Sequence, residues 1–573
     1  MNIPNLQSLL AVARGDRPAD LLLQNARIVN TLSYEIEEAS VAIFGGRIAG
    51  FGDYQARDTM DLRGALLAPA FIDGHIHIES SLLTPAGFAR AVVPWGTGSV
   101  VCDPHEIANV CGVEGIRFML AATEQMPLDV FVMLPSCVPA TNMETAGAEL
   151  SADDLRPLLS HPRVLGLAEV MNFPGVVFGD ENVLRKIEMA EGKPVDGHAP
   201  SVSGKWLNAY AAAGIETDHE SMTLDEAREK LRRGIAVLIR EGSTARNLDA
   251  LLPLVTPANA HRFAFVSDDR HADSLIREGH MNATLAKAVK RGLDPVLAVA
   301  MATSHTAEIF GRKDIGAIAP GRRANLIELE SLKTFRPQRV WHDGRLVAEN
   351  GKLLAAISET PAASVRGSVK LQSFSADKLF VPAKGKKVNV IDVIPDQIVT
   401  DKFITMLPVE NGGWTADLGQ DIAKLVVIER HGRGGTIGRG FVRGFGLKRG
   451  ALASTVAHDS HNLICVGMSD LDMLMAIRAL IEFGGGLVAV ADGRVPAKLA
   501  LPVAGLMSDQ PAANIVRDIE NLHRAARDLG CGLSAPFMAL SFLALPVIPH
   551  LKLTDKGLID VDQFKPIELA ADN

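Results

Sequence analysis

Phe71-Ile72-Asp73-Gly74-His75-Ile76-His77 is the stretch that decides how the rest of the 573-residue chain is read. Side chains alternate along a strand, so His75 and His77 share one face, two residues apart. Two imidazoles converging at a strand end make half a metal site. If other strands end in further ligand types, the chain is a metal-dependent hydrolase.

Outward from this strand, about Pro69 to Gly311, strand-like runs alternate with helical patterns. The runs are AFIDGHIHI, GSVVCDP, DVFVMLPS, VLGLAEV, KPVDGHA, GIETDHE, GIAVLIREGS and RFAFVSDD. Helix candidates between them include Gly112 to Glu124, Asn182 to Glu191, Trp206 to Ala213 and Leu224 to Arg233. Eight alternations are what a closed parallel (β/α)8 barrel of the TIM type requires, and such a barrel gathers its site at the C-terminal ends of its strands.

Farther out, after a short amphipathic start (Leu6 to Arg14), residues 21–67 read as short strands punctuated by Gly45-Gly46 and Gly52-Asp53. The same texture returns at Ala324 to Leu329 and Arg339 to Val347, which predicts one discontinuous small β-domain built from both flanks of the barrel. A looser, Ser/Thr/Pro-containing stretch, Ala355 to Ser368, reads as a linker. Beyond it, KVNVIDVI, AKLVVIER, LICVGM and GGLVAVADG with helix candidates Asp470 to Phe483 and Ala512 to Leu529 predict a C-terminal α/β or α+β domain. The expected division is 1–67 and 313–360 for the β-domain, 68–312 for the barrel and 361–573 for the last domain.

Composition narrows the function. The net charge is −9 with both signs interspersed, and there is no long basic tract for nucleic acid or an anionic membrane. Met1 to Asp20 lacks the pattern of an export signal, and the most apolar stretch, Phe537 to Leu551, is broken by Pro546 and Pro549. A cytoplasmic protein with a small-molecule substrate is the expectation. Five cysteines without a Cys-x-x-Cys pair argue against a disulfide framework and against a thiolate zinc site.

Strand one supplies His75 and His77, strand four ends at Glu169, strand five at His198, strand six at His219 and strand eight at Asp268. Each alone has an ordinary reading: a surface loop for His-x-His, a hydrogen-bonded structural histidine for His198 or His219, a helix cap or an arginine partner for Glu169. Together, four imidazoles and two carboxylates at one rim can hold two divalent cations, with Glu169 bridging and Asp268 beside the nucleophilic water. Such a donor set suits Zn, Mn or Fe.

Ala68-Pro69-Ala70-Phe71-Ile72-Asp73-Gly74-His75-Ile76-His77, followed by His198, His219 and Asp268, resembles the amidohydrolase superfamily. Within it, Asp103-Pro104-His105-Glu106, Glu169-Val170-Met171-Asn172, Val195 to Pro200, Arg240-Glu241-Gly242-Ser243 and Ser267 to His271 resemble the bacterial adenine deaminase family. The similarity continues through Ile428 to His431 and Ala457 to Asn462, so it covers nearly the whole chain. The resemblance implies hydrolysis of adenine to hypoxanthine and ammonia in purine salvage, at a two-metal centre in which Mn or Fe is favoured and Zn is an alternative. It implies that His75 and His77 hold one cation, His198 and His219 the other, that Glu169 bridges, and that Asp268 binds the first cation and transfers protons. Many relatives bridge their cations with a carbamylated lysine on strand four; Glu169 there, with no lysine, speaks against hydantoinase-like and dihydroorotase-like kinds.

Further candidates stand in two groups. Glu79, Asp103, His105 and Glu106 are candidates for an auxiliary metal or for orienting the ligands, with a helix N-terminus and its caps as the alternative. Glu220, Glu241, Asp269 and His271 are candidates for binding the base, although alternation turns some of them away and Glu241 can pair with Arg240 or Arg246. His458-Asp459-Ser460-His461-Asn462 admits a metal reading, and more readily a hydrogen-bonded loop that packs the last domain on the barrel mouth. Subunit number is open, with a homodimer compatible. The rival readings are a deaminase or cyclic-amide hydrolase for another nitrogen heterocycle, and a non-catalytic barrel scaffold.

Overall fold

The computed structural model describes residues 2–243, 245–371, 374–395 and 397–571. A nine-stranded sheet draws on both flanks of the central region: Leu66–Pro69 pairs antiparallel with Leu326–Leu329, Leu326 lying opposite Pro69. On the N-terminal side, Glu35–Phe44 and Arg47–Phe51 form a hairpin across Gly45 and Gly46, both at positive φ (56° and 75°). Two successive left-handed residues make the tight turn whose twist matches paired strands, and glycine adopts that conformation at least cost.

Between the flanks come eight strands: β1 (Phe71–Ile76), β2 (Thr97–Cys102), β3 (Asp129–Leu134), β4 (Val164–Val170), β5 (Val195–Gly197), β6 (Thr217–Asp218), β7 (Ala236–Arg240) and β8 (Phe263–Val266). Seven fall within the runs expected from the sequence, and β2 begins one residue before its run, at Thr97. Their hydrogen bonding differs from the single closed ladder expected. β1 to β5 form one parallel five-stranded sheet and β6 to β8 a parallel three-stranded one.

The seams between the two sheets are held by individual bonds. Glu216 donates its N–H to the Val195 carbonyl at 3.0 Å, and Asp268 donates to the His75 carbonyl at 2.9 Å. Two causes are visible. β5 and β6 are only three and two residues long, and the pairing each makes is on its other side, with β4 and β7. At the other seam the Asp73 carboxylate takes the place of a backbone acceptor, receiving the Ser267 N–H (3.0 Å) and the Ser267 hydroxyl (2.5 Å). Asp268, next in sequence, is then turned into left-handed backbone at φ 56°.

The C-terminal part carries a second nine-stranded sheet, antiparallel except where Lys387–Val393 runs parallel to Ile437–Arg443. That pattern, with the helices Asp470–Glu482 and Ala512–Asp528, is the α+β alternative. Its apolar residues Met538, Phe542, Leu545, Val547 and Ile548 pack against Cys137, Ala140 and Met171 from the segments following β3 and β4. Those segments leave the C-terminal ends of the strands, so this part of the chain covers the rim where the ligand-type residues gather. Residues near the linker are pinned as well: Glu359 accepts from Thr84 Oγ1 at 3.1 Å, and Arg90 donates to the Ile357 carbonyl at 2.6 Å. All five cysteines are free. Among the described residues no helix is long and apolar enough to cross a membrane.

Candidate metal centre

β1 ends with His75 and His77 on one face, as alternation requires, and their Nε2 atoms lie 3.2 Å apart. The other nitrogen of each ring has a buried anchor. His75 Nδ1 faces Asp196 Oδ2 at 2.8 Å, and His77 Nδ1 faces the Asp103 carbonyl at 3.0 Å. Both anchors are acceptors, so both Nδ1 atoms carry the ring hydrogen and both Nε2 atoms present lone pairs. Into the same space come Glu169 Oε1, 3.3 Å from His77 Nε2 and 3.8 Å from His75 Nε2, and Asp268 Oδ1, 3.2 and 3.6 Å from the same atoms.

Four lone pairs thus converge in a buried space with no hydrogen to separate them, an arrangement that a divalent cation satisfies. Protons are the weaker substitute. Burial disfavours charge on His75, yet Asp196, Asp268 and Glu169 outweigh it and hold the imidazole well above its ordinary range. Two imidazolium N–H groups cannot point at each other across 3.2 Å, whereas one cation replaces both protons.

A second group adjoins the first. Glu169 Oε2 lies 2.6 Å from His198 Nδ1 and 3.3 Å from His219 Nε2. The remaining nitrogens, His198 Nε2 and His219 Nδ1, are buried and have no hydrogen-bond partner among the described residues. Glu169 therefore faces one histidine pair with each oxygen. Burial raises its pKa, and the positive potential of His198 and His219 overrides that and holds it well below the carboxylate range. The His75 and His219 rings stack at 4.1 Å, which joins the two halves into one cluster.

Asp268 is clamped from behind by Arg240, whose Nη1 donates to Oδ2 at 2.7 Å. Arg240 also pairs with Glu220, with an Nη2–Oε2 contact of 3.2 Å, and Glu220 Oε1 lies 3.7 and 3.6 Å from His198 and His219. Burial pushes Asp268 upward; the Arg240 guanidinium, with His75, His77 and His219, more than reverses this and holds it well below the carboxylate range. Neither Asp196 nor Arg240 stands out by sequence spacing. Asp196, on β5, meets His75 from the opposite edge of the five-stranded sheet, and Arg240, on β7, reaches Asp268 just past the neighbouring β8.

The other predicted residues divide. His105 reaches the cluster, its Nδ1 3.5 Å from Glu169 Oε1, while Asp103 Oδ2 accepts from the same Nδ1 at 2.9 Å. His77, Asp103, His105 and Glu169 form a ligand-type group of their own. Glu79 Oε1 instead accepts the Ile107 N–H at 3.2 Å, and burial pushes its carboxyl up to about 7. Glu106 turns away from the cluster to His458 and His461 of the C-terminal part. Asp269 accepts the Ser80 hydroxyl at 2.5 Å, and His271 precedes helix Ala272–Arg277 with its N–H donated to Ser243 Oγ. The Glu241 side chain pairs with neither Arg240 nor Arg246 but with Lys287 at 2.9 Å, away from the cluster.

The sequence matches the model of the amidohydrolase family over residues 66–347 and that of the adenine deaminase C-terminal domain over 397–565. An adenine deaminase of Dehalococcoides mccartyi is 51% identical over 564 residues, covering 98% of this chain and 99% of its own. Adenine deaminase 2 of Carboxydothermus hydrogenoformans is 50% identical over 566 residues, covering 99% of each. The adenine deaminase of Desulfatibacillum aliphaticivorans is 48% identical over 563 residues, covering 98% of this chain and 99% of its own.

Proposed function

The chain belongs to the adenine deaminase family of amidohydrolases, and on that premise we propose that it hydrolyses adenine to hypoxanthine and ammonia at the Glu169 cluster. One observation carries the reading: the converging, hydrogen-free lone pairs of His75, His77, Glu169 and Asp268, with a second histidine pair on the far oxygen of Glu169. In this reading His75, His77 and Asp268 would hold one divalent cation and His198 and His219 another, with Glu169 offering one oxygen toward each. Bound cations of this kind lower the pKa of water from 15.7 to about 7 and polarise the bond under attack.

Asp268 then takes a proton from the water attacking purine C6 and delivers it to the departing amine, so water and adenine leave as hypoxanthine and ammonia. Arg240 fixes the orientation of that carboxylate, and Glu220 fixes Arg240 from the other side. His105 and Asp103 brace the cluster on the β2 side. Asp269 and His271, at the end of β8, border the substrate, whereas Glu241 is occupied by Lys287 and has no part.

The eight strands act as one barrel whose rim bears the site, with the β-domain (1–67, 313–360) beneath and residues 361–573 above. Mn or Fe is the metal favoured by family membership, with Zn accepted by the same donors. The reaction belongs to purine salvage in the cytoplasm. Asp268→Asn tests the assignment: metal content stays at the wild-type level while ammonia release from adenine falls by about 10²–10⁴-fold. Full activity in that variant refutes the proton role. Metal-loaded wild type that releases no ammonia from adenine refutes the function.

A further inference from the structure

The segment Ala457 to Asn462, which follows strand Ala451–Ser454, sits on the rim beside helix His105–Cys111. Its histidines both reach Glu106: His458 Nδ1 at 2.7 Å from Oε1, and His461 Nε2 in close contact with Oε2. These are metal-ligand types, but the hydrogens exclude a cation bound by both. His461 Nδ1 accepts the Ala457 N–H at 3.1 Å, so the ring hydrogen lies on Nε2 and is donated to Glu106. The pair of histidines on one carboxylate is a hydrogen-bonded strut. His431 strengthens it by donating from Nε2 to the Ser460 carbonyl at 2.8 Å.

Two atoms of the segment are left over. His458 Nε2 and Asp459 Oδ2 have no hydrogen-bond partner among the described residues, although the residues are only 3% and 2% exposed. The His458 ring lies flat on Phe542, 4.5 Å away and tilted by 14°, so the direction of Nε2 is fixed. Asp459 Oδ1 is 3.8 Å from His105 Nε2, and the far nitrogen of that ring is 3.5 Å from Glu169 Oε1. Asp459 therefore stands one imidazole away from the centre of the cluster. A buried carboxylate oxygen without a donor is costly, and a site that needs a ligand hydrogen is where such an atom is retained.

We infer that Asp459 accepts the N–H of the five-membered ring of the free purine base and that His458, whose Nδ1 hydrogen goes to Glu106, is the doubly protonated ring and donates its Nε2 hydrogen to a second ring nitrogen. A free base carries that hydrogen; a nucleoside, or a base alkylated at N9, does not. The C-terminal part thereby selects the base over the nucleoside, an inference that rests on adenine being the substrate.

The test compares adenine with 9-methyladenine, by turnover or by inhibition constant where turnover is slow, in metal-loaded wild type and in Asp459→Asn. Wild type is expected to prefer adenine strongly. The variant is expected to raise KM for adenine about tenfold or more while 9-methyladenine is unaffected, so that the preference collapses. Asp459→Ser repeats the measurement if Asp459→Asn does not fold, and His458→Gln raises KM with metal content unchanged. Wild type that handles both compounds equally, or a variant that keeps the wild-type preference, overturns the inference. Wild type inactive on adenine would instead remove the functional reading beneath it.

Discussion

Glu169 and Glu106 occupy matching situations. Each is a buried carboxylate whose oxygens face imidazoles, each joins separate parts of the chain, and each is a plausible metal ligand by residue type. The hydrogens distinguish them. Around Glu169 the anchors of His75 and His77 are acceptors, so lone pairs point inward, as ligands to a cation must. Around Glu106 the anchor of His461 is a backbone donor, so a hydrogen points inward and the carboxylate itself completes the bond. Donor and acceptor parity separates a metal centre from a strut where residue type does not.

The largest expected effect is at the first of these. Glu169→Gln replaces one of two carboxylate oxygens, each of which faces its own histidine pair, with a hydrogen-bearing amide group, and metal analysis should show both cations lost with ammonia release down by about 10³-fold or more. A variant retaining two cations would remove Glu169 from the bridging role. Asp196→Asn is milder: an amide no longer enforces the Nδ1–H tautomer of His75, and cation affinity should fall about 10- to 100-fold in a competition with a chelator.

At the second carboxylate the prediction has the opposite shape. Glu106→Gln gives one histidine a donor facing a donor, lowering stability by about 1–3 kcal/mol in denaturant unfolding while cation content stays the same. Loss of a cation there would abolish the contrast between the two sites.

Lys552 extends the contrast to a group with neither remedy. Its ammonium is fully buried, donates to the Ile398 carbonyl at 2.8 Å, and is pushed down by burial to about 7 from 10.5. Below pH 7 both folded and unfolded chains carry the proton and the burial cost is felt in full; it shrinks as pH rises from 7 toward 10.5. Lys552→Met should therefore stabilise the protein by about 1 kcal/mol near pH 6, with the advantage fading in alkaline solution. A melting temperature that rises equally at both ends would show that packing, not charge, sets the effect.

Much of this was legible beforehand. His75, His77, Glu169, His198, His219 and Asp268 all stand at or just past the C-terminal ends of the eight strands, and a parallel arrangement brings strand ends to one rim whatever the details of the loops. The eight runs were readable for the same reason: alternation of buried strands and amphipathic helices is a local property. The ladder was not readable. Whether β5 and β6 pair with each other as well as with β4 and β7, and whether Asp73 reaches across to Ser267, depends on neighbours far away in sequence.

The sequence by itself determined which residue types stand at the rim, the discontinuous β-sheet that flanks the eight strands, and the family, because these follow from periodicity and local motifs. Only the tertiary structure decided what each polar group does. It set Glu241 against Lys287, Arg240 behind Asp268, Glu106 between His458 and His461, and left Asp459 with an unused oxygen. A buried polar side chain acts through its partner, and partners brought together across dozens to hundreds of residues carry no spacing for a sequence to display.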